Sequence, residues 1–383
     1  MPCPTRAPHR SRGSPRPCSR DAVLAAFGAC VGWTQEWGAS CPTLGGIVLV
    51  MSRHRLTEEE RQPAQLVARF ESLYDALSED SSWEGKEIGA RYAAVTLLGC
   101  EGAPDALAGA VREMDAGICQ AMSWFKRAHP YVRAVLAATL VKFDVSCDDF
   151  FKFHEHATEA AGQAKLSYKG HFALLASLVL RTHAERSELT VADMERMREL
   201  FNQMKVHHWW LTGADDLPPC AMLMRLSGSG KEIETRAESM YGALKAKKSF
   251  SPGNALQRAS HLLTLSALAP EEAGDRAEAI VEALESSGVH VNKTEYDEVA
   301  LLAALDASPE VIGARVAECV ELVPNARVRD EVRHVDVAAS VALLSLDSAG
   351  SGEAGVDLKI LLDVQTAAGN QQAATAGAVR TGV

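Results

Sequence analysis

The amino-acid sequence predicts an all-α protein, an α-α superhelix or solenoid of about six or seven antiparallel helix pairs. From about residue 66 onward, apolar residues recur at helical spacing and strand-like alternation is nearly absent. A small-residue apolar segment recurs about every 40 residues, and a more charged helical segment follows each copy. Because one short helix pair cannot bury its apolar face alone, stacked copies would share a continuous core. The alternative is a chance similarity among Ala- and Leu-rich helices.

The first helix of each predicted pair is short, apolar and rich in small residues, and each copy ends in Leu. One step between copies, the one before residue 217, is longer than the others. The copies lie at residues 91–98, 131–140, 171–180, 217–226, 256–265, 296–305 and 337–346.

The second helix of each pair carries more charge and starts with capping residues. Ser146 and Asp149 form one Ser/Thr-x-x-Asp pattern, and Thr190 and Asp193 form another; both resemble capping boxes. An aromatic residue then precedes the next repeat by about seven residues, which predicts a structural role between helices. These aromatics are Trp83, Trp124, Trp210 and Phe250, and the second helices are predicted at 105–118, 148–165, 193–205, 233–247, 275–286 and 311–323.

The two ends of the chain differ from the repeats. Residues 1–50 begin with a stretch rich in Pro, Arg and Ser, which is typical of disorder. The residues from Met51 resemble an ordinary protein start, with Thr57 capping an acidic first turn. We therefore expect residues 1–50 to be disordered or a mistranslated upstream extension, residues 51–346 to form the helical-repeat domain, and residues 347–383 to form a partly disordered tail.

The composition disfavours several classes of partner. A formal net charge of -11 makes a nucleic-acid backbone an improbable ligand. The nine Cys are scattered without a CxxC pair, which favours a reduced, cytoplasmic location. Apolar runs stay shorter than the ~18 residues that a membrane-spanning helix needs.

The segment 207–219 concentrates chemistry-bearing residues between two helical segments, and we call it the joint. Imidazole and carboxylate groups are ligands of Zn²⁺, Mn²⁺ or Fe²⁺. Capping and helix-dipole roles are the alternative explanation for the same residues. The candidate ligands at the joint are His207, His208, Asp215 and Asp216.

His261 is a polar residue at a core-facing position of its repeat. A buried imidazole needs a partner, either a neighbouring backbone carbonyl or a ligand or metal. If the joint is a site, we expect His261 to line a polar pocket with Asp215 or Asp216. The aligned repeats carry Leu136, Ala176, Met222, Leu301 and Ala342 at this position.

Two further motifs resemble known sites without meeting their requirements. Residues 228–232 lack the earlier Gly and the Ser/Thr of a phosphate-binding loop, so they predict a turn between helices. Residues 154–156 place two His at i and i+2, which point apart on a helix and predict a solvated face.

The joint also carries a family resemblance. Residues 210–218, together with residues 253–257 and 260–263, resemble the bacterial DUF4003 family over about residues 65–345. The resemblance implies a bacterial helical protein and brings no activity with it.

The function that these patterns favour first is a scaffold binding a protein or peptide partner on a curved helical-repeat surface. The alternative is an α/α-type enzyme, with or without a divalent metal, that has a polar pocket near residues 207–216 and 261. An open arc of helices would favour binding, whereas a closed ring with a central polar pocket would favour catalysis. The identity of any cofactor is left open by the sequence.

Overall fold

The computed structural model describes residues 56–79, 86–122, 130–183, 188–207, 213–323 and 334–347. Within these ranges the regular structure is helical throughout. The odd-numbered helices are α1 (Pro63–Ser78), α3 (Pro104–Ala121), α5 (Cys147–Gln163), α7 (Val191–His207), α9 (Gly230–Lys245), α11 (Pro270–Ser286) and α13 (Pro309–Leu322). The even-numbered helices are α2 (Lys86–Leu97), α4 (Pro130–Lys142), α6 (Gly170–His183), α8 (Leu217–Leu223), α10 (Asn254–Thr264), α12 (Tyr296–Ala303) and α14 (His334–Leu346).

Each odd-numbered helix packs against the even-numbered helix that follows it, and this makes seven hairpins in the described chain. Odd helices also contact the odd helices of adjacent hairpins, and even helices contact even ones, so two layers form. The even layer is the inner one, since α8 and α12 are buried along their whole length. The odd helices are amphipathic and expose one face. The predicted all-α class is confirmed, and the predicted small-residue segments coincide with the even helices.

The series of hairpins closes on itself. The first helix, α1, packs against both helices of the last hairpin, α13 and α14. Beside this contact, the Arg61 guanidinium donates a hydrogen bond to the backbone carbonyl of Asp347. The sequence alone did not decide between an open arc and a ring.

Two predicted helix caps are confirmed, at the starts of α5 and α7. Ser146 Oγ accepts the Asp149 N–H at 3.1 Å, and Thr190 and Asp193 bond reciprocally. Residues 228–232 form the predicted turn between helices, and Ser229 within it caps α9. Thr57 is an exception: it pairs with Glu60 but begins only an isolated turn, because α1 itself starts at Pro63.

Arginines on the outer helices satisfy the carbonyl ends of the inner helices. An α-helix leaves its last carbonyls without intrahelical partners, and an inner helix has little access to water for them. Arg236 shows the pattern: its guanidinium donates to the carbonyls of Thr264 at 3.3 Å, Ser266 at 2.8 Å and Leu268 at 3.2 Å. The same arrangement holds in four hairpins, through Arg69, Arg196, Arg236 and Arg276.

Small residues let successive outer helices approach closely. A Cβ at Gly274 would lie 3.1 Å from the carbonyl oxygen of Ala243, and one at Gly313 would lie 2.8 Å from that of Ala283. Both glycines stand two residues before an arginine of the outer layer. A side chain at either position would push two outer helices apart.

The predicted interhelical aromatics are only partly within the described chain. Phe250 is buried, and its ring lies 4.9 Å from that of Tyr296, centroid to centroid, at an interplanar angle of 65°. Trp83, Trp124 and Trp210 lie outside the described residues, as do the predicted extension 1–50 and almost all of the predicted tail.

We predict that Arg236→Met lowers the free energy of unfolding by about 2–4 kcal/mol, because three carbonyls lose a charged donor while most of the aliphatic stem is retained. Urea denaturation measures the change. Lys231→Met, on an exposed position of the same helix, is the control and should stay within about 0.5 kcal/mol of wild type. Equal effects of the two substitutions would contradict a capping role for Arg236.

Candidate functional site

The joint connects α7 to α8 through a short 3-10 turn. Helix α7 ends at His207, the described chain resumes at Gly213, and residues 214–216 form the turn. Pro218 and Pro219 then occupy the first turn of α8, where a missing N–H costs no helical hydrogen bond. The candidate ligand His208 lies outside the described residues.

Asp216 is buried at the end of this turn. Its Oδ2 accepts the Gly213 N–H at 2.8 Å, so the side chain reaches back along the chain. The side chain makes no capping hydrogen bond to the first turn of α8. Because Gly213 is the N-cap of the 3-10 turn, Asp216 caps that turn and not α8. The neighbouring Asp215 is only half-buried.

Burial shifts the pKa of the Asp216 carboxyl from its ordinary value. Loss of hydration raises the pKa of this carboxyl to about 7, and the charge of Asp215 adds to the rise. The Gly213 hydrogen bond and the positive charges of Lys205 and Arg258 act in the opposite direction. Asp216 therefore exchanges its proton near neutral pH.

Arg258 links Asp216 electrostatically to a second buried carboxylate. Its Nε lies 2.9 Å from Oδ2 of Asp297, an ion pair that joins α10 to α12. Asp297 is 1% exposed, and its other oxygen, Oδ1, accepts no hydrogen bond from the described chain. We call Asp216, Arg258 and Asp297 the joint cluster; its members stand at or near the amino ends of α8, α10 and α12.

Two more polar side chains of α10 are buried near the joint cluster. Gln257 is 3% exposed, and its Nε2 donates no hydrogen bond within the described residues. His261 is also buried, one helical turn beyond Arg258, so the two share a face of α10. A pocket shared by His261 with Asp215 or Asp216 stays a prediction.

His207 meets two residues that the sequence analysis did not single out. Its Nε2 lies 3.2 Å from Oε2 of Glu234, whose side chain is 4% exposed. Glu238 stands one turn further along α9, and one ligand atom from each of the three residues lies within 4.8 Å of the others. Burial raises the pKa of Glu234 to about 7, while His207 lowers it. The sequence feature that could have predicted this group is the pair of acidic residues at positions i and i+4 of α9, the helix that faces the end of α7.

The rejected motif at residues 154–156 is only partly a solvated face. Glu155 and His156 are exposed, as predicted. His154 instead lies 2.7 Å from the Ser177 hydroxyl, which in turn lies 2.8 Å from the Tyr168 hydroxyl. Burial lowers the pKa of His154 to about 4, so this imidazole is neutral in a structural hydrogen-bond chain.

Fold and site together define a protein of stacked α-α hairpins with a buried polar cluster at the inner helices. The chain belongs to the DUF4003 family, described as proteins of unknown function, whose profile matches residues 56–350. The resemblance seen in the sequence is thereby confirmed.

A curated relative of the chain is an uncharacterised protein, YeaA, from Bacillus subtilis (strain 168). The two are 30% identical over 144 residues, which is 37% of this chain and 43% of the relative. The match therefore spans less than half of the relative's length. No solved structure matches the chain significantly. Among the described helices, none has the length and apolar character needed to cross a membrane.

We predict that Asp216→Asn stabilises the protein at pH 8. The unfolded carboxyl releases its proton near pH 4 and the folded one only near 7, so wild-type stability is full below pH 4 and falls as the pH rises to 7. A pKa difference of about three units corresponds to a gain of about 2–4 kcal/mol for the neutral amide, which still accepts the Gly213 N–H.

Urea denaturation of both proteins between pH 4 and pH 8 tests this prediction. The two stabilities should converge near pH 4 and diverge toward pH 8. Asp306→Asn, at an exposed position after α12, serves as the control. A less stable Asp216→Asn protein at pH 8 would show that the ionised carboxylate supports the fold.

Proposed function

We propose that this protein is an α/α-type enzyme that binds a small polar molecule at the joint cluster and uses Asp216 for proton transfer. The observation that carries the proposal is the convergence of two buried carboxyl groups and a partly buried arginine at the amino ends of three adjacent inner helices. A pKa near the working pH suits a general acid or base, and buried carboxyls shifted in this way are typical of functional sites.

A purely structural role explains the joint cluster poorly. An Asn or Ser at position 216 would accept the Gly213 N–H without the cost of burying an ionisable group. Likewise, a buried ion pair such as Arg258–Asp297 is often no more stable than apolar residues of similar volume. These ionisable groups reduce the stability of the fold. Their presence therefore favours a functional explanation.

The unmet hydrogen-bonding atoms suggest the class of ligand. Asp297 Oδ1 is a buried acceptor and Gln257 Nε2 a buried donor, and buried polar atoms are rarely left unpaired. Gln257 and Asp297 are 40 residues apart, at the same place in successive repeats, on inner helices that contact each other. A ligand with hydroxyl or amide groups, which both donate and accept, would satisfy these two atoms.

The scaffold hypothesis, in which the helices bind a protein or peptide partner, has less support. Closure of α1 onto the last hairpin favours the enzyme of the two alternatives weighed from the sequence. Within the described chain the large exposed apolar side chains are Val206, Val311 and Leu322. A peptide-binding groove would be expected to expose a contiguous apolar patch. The scaffold function stays a prediction.

We expect a screen of small polyols, sugars and amides to identify a compound that raises the melting temperature of the wild-type protein, because binding to the folded state stabilises it. The shift should change with pH around 7, following the protonation of Asp216, and this pH dependence should vanish in Asp216→Asn. Thermal-shift assays at pH 6 and pH 8 measure it, with Asp306→Asn as the control. Compounds that bind Asp216→Asn with an unchanged pH profile would contradict the role of Asp216.

A further inference from the structure

One position on the outer helices breaks the pattern of the repeats. In five outer helices, the residue two positions before an arginine is buried against a neighbouring helix. Four of these residues are apolar or glycine, and one is charged. In chain order they are Val67, Met194, Glu234, Gly274 and Gly313, preceding Arg69, Arg196, Arg236, Arg276 and Arg315.

Glu234 therefore places a carboxylate at a buried position where the other four outer helices have an apolar residue or glycine. It lies where α9 packs against α7, and it is 3% exposed. Burying a carboxylate is costly unless a positive group offsets its charge. His207, at the end of α7, is the neighbouring group that contacts it, and Glu238 adds a second acidic side chain. One imidazole and a second carboxylate therefore lie beside the buried Glu234 carboxylate.

The spacing of these three groups suits a bound cation. Two ligands that bind one ion at about 2.1 Å are ~3.0–4.2 Å apart, depending on the coordination angle. The Nε2–Oε2 separation of 3.2 Å lies inside that range. All three ligand atoms lie within 4.8 Å of one another, so a small rotation of the half-buried Glu238 would bring its oxygen into range.

We propose that His207, Glu234 and Glu238 form a binding site for a divalent first-row cation, Zn²⁺ or Mn²⁺. An imidazole favours these ions over Mg²⁺ or Ca²⁺, which prefer sites made of oxygen alone. Because the His207 side chain is 41% exposed, water has access to the remaining coordination positions, which is the open geometry of a reactive metal centre. This site is separate from the joint cluster and does not depend on the enzyme proposal.

Calorimetric titration of the full chain, purified without a metal-binding tag and treated with chelator, tests the proposal. The probes are ZnCl₂, MnCl₂ and MgCl₂. We expect one Zn²⁺ or Mn²⁺ to bind per chain, with Mg²⁺ much weaker, and the bound ion to raise the melting temperature. His207→Ala and Glu234→Gln should each weaken binding at least about tenfold, which is a lower bound for losing a direct ligand.

Controls separate a built site from general surface binding. His156→Ala removes an exposed imidazole from α5 and should leave the titration unchanged. His207→Ala also alters only a partly exposed side chain, so circular dichroism should show an intact fold. Absence of stoichiometric Zn²⁺ or Mn²⁺ binding would overturn the proposal. So would equal binding by wild type, His207→Ala and Glu234→Gln, leaving His207–Glu234 as an ion pair only.

Discussion

The arrangement of this protein depends on how the carbonyl ends of its inner helices are satisfied. An inner helix surrounded by other helices has little access to water at its last turn, and unpaired carbonyls there would be costly. Because one guanidinium has several N–H donors, it donates hydrogen bonds to two or three of these carbonyls at once. Because the arginine stands at the sixth or seventh residue of its outer helix, the contact also sets the register between the two helices of each hairpin. The spacing of 40 residues among Arg196, Arg236 and Arg276 is therefore the period of the structure.

That register determines where reactive groups are placed. Since the hairpins stack side by side, the inner helices run in the same direction and their amino ends lie together. The arginines occupy the carboxyl ends, which leaves the amino ends of α8, α10 and α12 for Asp216, Arg258 and Asp297. The stabilising arginine contacts are thus at the carboxyl ends of the inner helices, and the ionisable groups of the joint cluster are at the amino ends. The pair His207–Glu234 lies instead between two outer helices, α7 and α9.

The sequence predicts the helices well because helical periodicity is a local property of apolar and small residues. It predicts contacts between repeats poorly. Arg258 and Asp297 are 39 residues apart, and neither stood out, since a charged residue at the start of a helix ordinarily indicates solvent. Glu234 resembled any acid on an amphipathic helix until its burial against α7 was known. The shifted titration of Asp216 likewise arises from tertiary burial, whereas the candidate residue itself was found from its place at the joint.

The contact of the first hairpin with the last changes how such a repeat protein loses its structure. In an open stack, a terminal repeat has one neighbour and frays first, and unfolding spreads inward from it. Here α1 is held by α13 and α14, so the first and last described hairpins have neighbours on both sides. Detaching any one hairpin exposes two interfaces at once. Amide protons of the inner helices should therefore exchange together in one global opening, rather than in a gradient from the ends.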